Sequence, residues 1–265
     1  MSALQAAVLG FVQGITEYLP ISSKTHLVVV PALLGWEAPS LEFIVLLHLG
    51  TFVGLVIYFF RRLWGIASGA VRGDGEARRM VGLLVVATIP AAVMGFLFEE
   101  TFERLLADPR RAAFALLATA VLLVAAEWAA GTISRGKRLP RELSERPLMR
   151  HAVAMGLAQA VALLPGVSRS GSTMASGLVT GLRRPAAAEF SFLMALPAIA
   201  GANILETPEL VGAGFGTADW VGFAAALVSG YLAVAFLLRY LRRHSFLPFA
   251  IYCVVFGVGA GLALS

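Results

Sequence analysis

Gln13-Gly-Ile-Thr-Glu17-Tyr18-Leu-Pro20-Ile-Ser22-Ser23-Lys24-Thr25-His26 lies in the middle of an apolar stretch over residues 3–35 and breaks it. A second stretch, 151–182, is broken the same way by Leu164-Pro165-Gly166-Val-Ser168-Arg169-Ser170-Gly171. Each half has about 12–17 residues, fewer than the roughly 20 needed to cross a hydrocarbon core of about 30 Å. Proline cannot continue a helix interior, and unpaired backbone at membrane depth is tolerated only where protein or water covers it. The two stretches therefore predict re-entrant helix hairpins with polar tips.

The rest of the chain agrees with a membrane setting. Of 265 residues, 58% are hydrophobic and 14% charged, against about 25% charged in soluble chains. Mean hydropathy is +0.82, which leaves too little polar surface to coat a soluble fold. Six unbroken runs, 42–60, 79–98, 112–130, 188–206, 219–238 and 246–264, are long enough to span. The fold class predicted is all-α integral membrane: six transmembrane helices plus two re-entrant hairpins. No cleavable signal peptide is read at the N-terminus, whose first apolar stretch carries Gln13 and Glu17 and no basic flank. One cysteine, Cys253, sits in an apolar run and reads as a core or lipid-facing thiol.

Basic residues set the orientation. The loops 60–79, 131–151, 183–187 and 239–245 hold 16 of the 21 lysines and arginines. All four fall on one side of a six-span arrangement, the cytoplasmic side. The loops 99–111 and 207–218, with Glu99, Glu100, Glu103, Asp108 and Glu209, fall opposite. The net charge of +5 does not point to nucleic acid, because the basic residues are confined to short loops between spans.

The chain also repeats. Gly10-Phe-Val-Gln13 with Pro20-Ile-Ser22 resembles Gly156-Leu-Ala-Gln159 with Pro165-Gly-Val-Ser168, and Glu42-Phe43 matches Glu189-Phe190. Residues 1–130 and 151–265 thus read as two repeats joined by the basic loop 131–150. Each holds one hairpin and three spans. An odd number of crossings gives the halves opposite orientation, and inverted repeats place polar sites near the bilayer midplane.

Two constellations carry chemistry. Gln13 and Glu17 share a helix face, and Ser22, Ser23 and Thr25 can cap a second helix with His26 in its first turn. Ser168-Arg169-Ser170-Gly171-Ser172-Thr173 reads as a helix N-terminus rich in hydroxyls, with an arginine fork suited to phosphate. Ionisable groups at membrane depth are costly, about 2.5–3.5 kcal/mol on insertion scales, and are functional by default. His48, inside a span, reads as a packing hydrogen bond, as does Thr51. Glu42 and Glu189 read as helix-opening acids, and Glu127 as an interfacial one.

At these two segments the chain resembles the undecaprenyl-pyrophosphate phosphatase family, the bacitracin-resistance type. The family pattern of Glu or Gln, three residues, Glu, then Leu-Pro-(Val/Ile)-Ser-Ser and a nearby His stands here as Gln13, Glu17, Leu19-Pro-Ile-Ser22-Ser23 and His26. Its second pattern, Pro-Gly-X-Ser-Arg-Ser-X-X-Thr, stands as Pro165 through Thr173. The resemblance covers essentially the whole chain. It implies an inverted-repeat fold and release of the terminal phosphate of undecaprenyl pyrophosphate, recycling the carrier used in cell-wall synthesis. The site would open to the extracytoplasmic face of the cell membrane and be assisted by a divalent cation, Mg or Ca. Glu17, Ser23, His26 and Arg169 take the catalytic positions. Ser168 and Thr173 match its functional residues too, and the phosphate-binding candidates read from the residues themselves are Ser22, Lys24, Thr25, Ser168, Ser170 and Thr173. Glu17 is the expected metal ligand, with Gln13 a weaker one because the family more often has Glu there. Lys24-Thr25 departs from the Thr-Gly or Ser-Gly common in the family.

Three attacking groups are chemically open: Ser23 activated by His26, His26 itself, or water activated by Glu17. His26 as nucleophile or base, with Glu17 as its orienting or metal-binding carboxylate, is the favoured choice. Expected partners are the polyprenyl pyrophosphate and membrane lipids, with no nucleic acid and a homodimer left open. The alternative function is a secondary transporter or lipid flippase with a midplane anion site. The other broad class of membrane lipid phosphatase is set aside because its Pro-Ser-Gly-His element is missing.

Overall fold

A computed structural model describes residues 1–106, 108–135, 144–164, 166–205 and 214–264. Pro165, residues 136–143 of the 131–150 loop and residues 207–213 of the 207–218 loop lie outside the described residues. The described chain is all-α apart from one isolated bridge between Ser144 and Leu182. The helices are α1 (Ala3–Tyr18), α2 (Ser23–Leu33), α3 (Leu41–Arg72), α4 (Gly75–Leu106), α5 (Pro109–Arg135), α6 (Met149–Val161), α7 (Arg169–Val179), α8 (Arg184–Leu205), α9 (Thr217–Tyr240) and α10 (Leu247–Ala263).

Five of the six predicted spans are long apolar helices: Leu41–Arg72, Gly75–Leu97, Pro109–Gly131, Arg184–Ile204 and Thr217–Tyr240. The protein is thus a multi-pass all-α membrane protein. The sixth, α10, is an apolar helix of 17 residues, about 26 Å at 1.5 Å per residue and near the lower limit for a crossing. The broken stretches give helices of 16, 11, 13 and 11 residues, α1, α2, α6 and α7.

Local signals explain where the helices begin. Ser2 and Gln5 form a reciprocal capping box at the start of α1. Ser40 caps α3, which closes on Gly73 in the left-handed region (φ 91). Asp74 accepts from the amides of Glu76 and Ala77 to open α4. Asp108 does the same for Arg110 and Arg111 at α5.

α1 packs on α2 and α9, and α6 on α7 and α4. α3 packs on α9 and α8 on α4, while α5 packs on α7 and α10 on α2. Exchanging the first five helices with the last five maps these pairings onto one another. The close approaches follow the same rule. A Cβ on Gly10 would lie 2.9 Å from the backbone carbon of Gly222 on α9, and one on Gly156 would lie 2.8 Å from the carbonyl of Ala87 on α4. Small residues let helix backbones meet where lipid supplies no hydrophobic drive for association. The long helices and the α6–α7 hairpin enclose Tyr18, Phe192, Leu116 and Leu237, all buried, and Cys253 lies in this core.

Candidate active site

The first tip is the turn between α1 and α2. The residue before a proline is steered out of the helical region, so α1 ends at Tyr18, ahead of Leu19-Pro20. Tyr18 is fully buried, donates to the carbonyl of Thr51 at 2.7 Å and meets Phe192 edge-on, which anchors the end of α1 to α3 and α8. Ser22 then takes φ 67. It is the one non-glycine residue with positive φ among those described, a conformation costing about 1–3 kcal/mol that persists only where its surroundings fix it. Two contacts do so: the Ser22 hydroxyl lies 3.2 Å from Thr25 Oγ1, and His26 Nδ1 donates to the Ser22 carbonyl at 2.8 Å.

The second tip lies between α6 and α7. Gly166 adopts φ 75, and its carbonyl accepts from Thr119 Oγ1 at 2.7 Å. The same hydroxyl accepts from the Ser168 amide at 2.9 Å. Ser168 caps α7 through Gly171 N at 3.1 Å, so Arg169 occupies the first helical position.

The tips meet. Ser170 Oγ donates to the Leu19 carbonyl at 2.9 Å. Arg169 Nη2 pairs with Glu17 Oε1. Glu17, whose side chain is 7% exposed, accepts at Oε2 from the Ser23 hydroxyl and from Gln13 Nε2 at 3.1 Å. His48 Nε2 lies 3.8 Å from the same oxygen. One buried carboxylate thus gathers a guanidinium, a hydroxyl, an amide and an imidazole. Arg169, at 21% side-chain exposure, is the more open member of the ion pair.

His26 is placed differently from the expectation. Its partners are the Ser22 carbonyl and Tyr252, whose hydroxyl lies 2.8 Å from Nε2, while Phe256 stacks on the ring at a centroid distance of 4.6 Å. Glu17 does not orient it. Lys24 is exposed, with no hydrogen bond or ion pair tying it to the cluster. Thr25 is fully buried beside Ser22. Thr173 Oγ1 donates back to the Arg169 carbonyl at 2.8 Å and lies 2.6 Å from Ser191 Oγ, which ties α7 to α8. Ser168 Oγ is shared between the cap and Ser170 Oγ at 3.1 Å.

Two buried polar atoms beside these groups lack partners, Gln13 Oε1 and Ser172 Oγ. Among the described residues no group of three or more His, Cys, Asp or Glu side chains gathers as a metal cage. The residues that could hold a cation are Glu17 and Gln13, the latter through its unpartnered oxygen.

His48, Thr119, Ser191 and Tyr252 are site or supporting residues that the motifs did not mark. His48 does make the expected packing bond, Nδ1 to the Ile44 carbonyl at 2.9 Å, but its other nitrogen faces Glu17. Glu127 is not a free interfacial acid: it pairs with Arg184 and accepts from the Phe246 amide at 2.8 Å, joining α5, α8 and α10.

The fold and site define a multi-pass helical membrane protein with a carboxylate–guanidinium centre between two broken hairpins. Comparison with known proteins agrees. The family model described as Bacitracin resistance protein BacA matches residues 6–259. A protein of Thermomicrobium roseum named undecaprenyl-diphosphatase is 41% identical over 276 residues, covering 100% of this chain and 99% of its own. Equally named proteins of Granulibacter bethesdensis and Moorella thermoacetica are 41% and 42% identical, covering 98% and 96% of this chain and 96% and 95% of theirs. The chain belongs to the bacitracin resistance protein BacA family.

Proposed function

We propose that this chain hydrolyses undecaprenyl pyrophosphate to undecaprenyl phosphate and inorganic phosphate in the cell membrane, at a site opening to the extracytoplasmic side. The relatives carry the name of this activity. The observation that carries the reading is the junction of the two tips at Glu17, where Arg169 and the Ser23 hydroxyl occupy the two oxygens of one carboxylate. Phosphoryl transfer needs mainly positioning and electrostatic stabilisation of an anionic centre. A fixed cation, a hydroxyl bonded to a base and a capped helix start supply these parts.

The diphosphate takes Arg169 and the amides at the start of α7, across from the turn held by the Ser22 and Thr25 hydroxyls. Ser168, Ser170 and Thr173, whose hydroxyls are engaged inside the protein, shape this cradle. Lys24 adds charge at its outer edge. Ser23 Oγ attacks the terminal phosphorus while its proton passes to Glu17 Oε2. The bridging P–O bond breaks and undecaprenyl phosphate leaves. Water then cleaves the seryl phosphate and the serine regains a proton. This route gives Ser23 the attacking role and His26 the task of holding the turn that presents it. A trapped seryl phosphate separates it from direct attack by water held on Glu17.

Glu17 and Gln13 Oε1, with substrate oxygens, would hold a Mg or Ca ion, which when bound offsets phosphate charge; such ions commonly take one carboxylate plus phosphate oxygens. The exchange symmetry of the helix pairs supports an inverted repeat of 1–130 and 151–265, a design shared with transporters. Inorganic-phosphate release by the purified chain in detergent decides between the readings. Arg169→Ala is expected to lose it. Near-normal release from that variant, or substrate movement across liposomes without release, would overturn the assignment.

A further inference from the structure

We propose that Tyr252 is a positioning residue for this reaction, acting through His26; the proposal rests on the phosphatase reading above. His26 is 2% exposed. A carbonyl only accepts, so the 2.8 Å contact with the Ser22 carbonyl places the ring proton on Nδ1. In the neutral ring Nε2 then carries a lone pair in the ring plane, while Phe256 stacks on the ring face at 4.6 Å. The Tyr252 hydroxyl, 2.8 Å away, donates to it. The two bonds together fix the tautomer and the ring plane, as second partners do for metal-bound and catalytic imidazoles.

The consequence reaches the attacking group. His26 Nδ1 bonds the carbonyl of Ser22, the residue held at φ 67. Ser22 precedes Ser23, the first residue of α2, whose hydroxyl bonds Glu17. The order of support is Tyr252, His26, the Ser22 turn, Ser23. Tyr252 stands 226 positions from His26 on the last helix. The C-terminal helix therefore sets the geometry of a site built by the two hairpins. Its own surroundings favour this over a role in the core: Tyr252 is 39% exposed, between Ile251 at 64% and Val255 at 68% on the outward flank of α10.

The test uses the full chain in nanodiscs, labelled with 15N-histidine. Four histidines make the spectrum assignable. In the wild type, His26 is expected as the Nδ1–H tautomer, with Nε2 shifted by an accepted hydrogen bond. Tyr252→Phe is expected to move that Nε2 resonance toward the free lone-pair position and to leave the other three histidines in place. In phosphate release from undecaprenyl pyrophosphate, Tyr252→Phe should lower kcat by about tenfold with KM held within about twofold, the scale of one lost buried hydrogen bond. In a His26→Ala background it should cause no further loss. The opposite tautomer in the wild type, an unmoved His26 resonance, a full additional loss in the His26→Ala background, or a raised KM with kcat held would each overturn the proposal. A wild-type chain that releases no phosphate would fail the phosphatase reading, and the histidine spectra would still judge the Tyr252–His26 bond.

Discussion

Ser170 Oγ donates to the main-chain carbonyl of Leu19 at 2.9 Å, across 151 positions of sequence. This neutral bond lies beside the Glu17–Arg169 ion pair and does not depend on charge. The hairpin tips are therefore held together even if Arg169 turns from Glu17 to a phosphate. The site can exchange an internal anion for a substrate anion without coming apart.

Arg169→Lys follows from that exchange. Lysine keeps the charge and loses the planar fork that can bind a carboxylate or phosphate at two points. Phosphate release is expected to fall about 10²–10³-fold in Arg169→Ala, the size seen on removing one donor from a developing oxyanion. Arg169→Lys should fall between the wild type and alanine. A kinetic comparison of the three proteins at saturating substrate checks the order.

Ser22 offers a test of stored strain. Glycine adopts φ 67 freely, whereas a β-branched residue does so only at high cost. Ser22→Gly is expected to match or exceed the wild type in thermal stability, by up to about 1 kcal/mol, while slowing turnover through loss of the hydroxyl beside Thr25. Ser22→Val should lower the melting temperature and abolish release. Thermal unfolding in detergent, paired with the phosphate assay, separates the two effects.

The hairpins and their polar tips were readable because proline at 20 and 165 interrupts strongly apolar runs, and the Glu17 and Arg169 charges could not be left unpaired in a membrane. The places of the long helices were readable from the apolar runs. Helix ends were less so. α3 continues from the predicted end at 60 to Arg72, because the segment beyond the apolar run carries arginines and alanines that favour helix in water as well as in lipid. What could not be read was the rotation of each helix. His48 was visible as a span histidine, but only packing of α3 beside α1 turns its Nε2 toward Glu17. Tyr252 and Thr119 reach the tips from α10 and α5, contacts that no spacing rule connects.

His48 makes the next prediction. Its Nε2 faces Glu17 Oε2, which also serves Ser23 and Gln13. His48→Ala should lower kcat by about 3–10-fold, more than a packing bond distant from the site would, and His48→Gln should recover part of the loss by offering an amide donor to the same oxygen. Equal activity of alanine and glutamine variants to wild type would return His48 to a packing role.

Gln13→Glu bears on the cation. A second carboxylate beside Glu17 should lower the Mg or Ca concentration needed for half-maximal release, by about tenfold, and make the protein more sensitive to chelator. Without added cation the same substitution should slow the reaction, since two carboxylates would then share one site unneutralised. Titration of the rate with cation in both proteins gives the comparison.

The meeting of the tips is open to direct chemical measurement. A Cβ on Gly171 would lie 3.4 Å from Pro20 Cβ, close to the roughly 3.5–4.5 Å spanned by a disulfide. In a Cys253→Ser background, which removes the single native cysteine, the pair Pro20→Cys and Gly171→Cys should close an intramolecular disulfide under mild oxidation in native membranes, seen as one cross-linked peptide by mass spectrometry. Two free thiols after oxidation, or cross-links only between separate chains, would contradict a site built where the two hairpins touch.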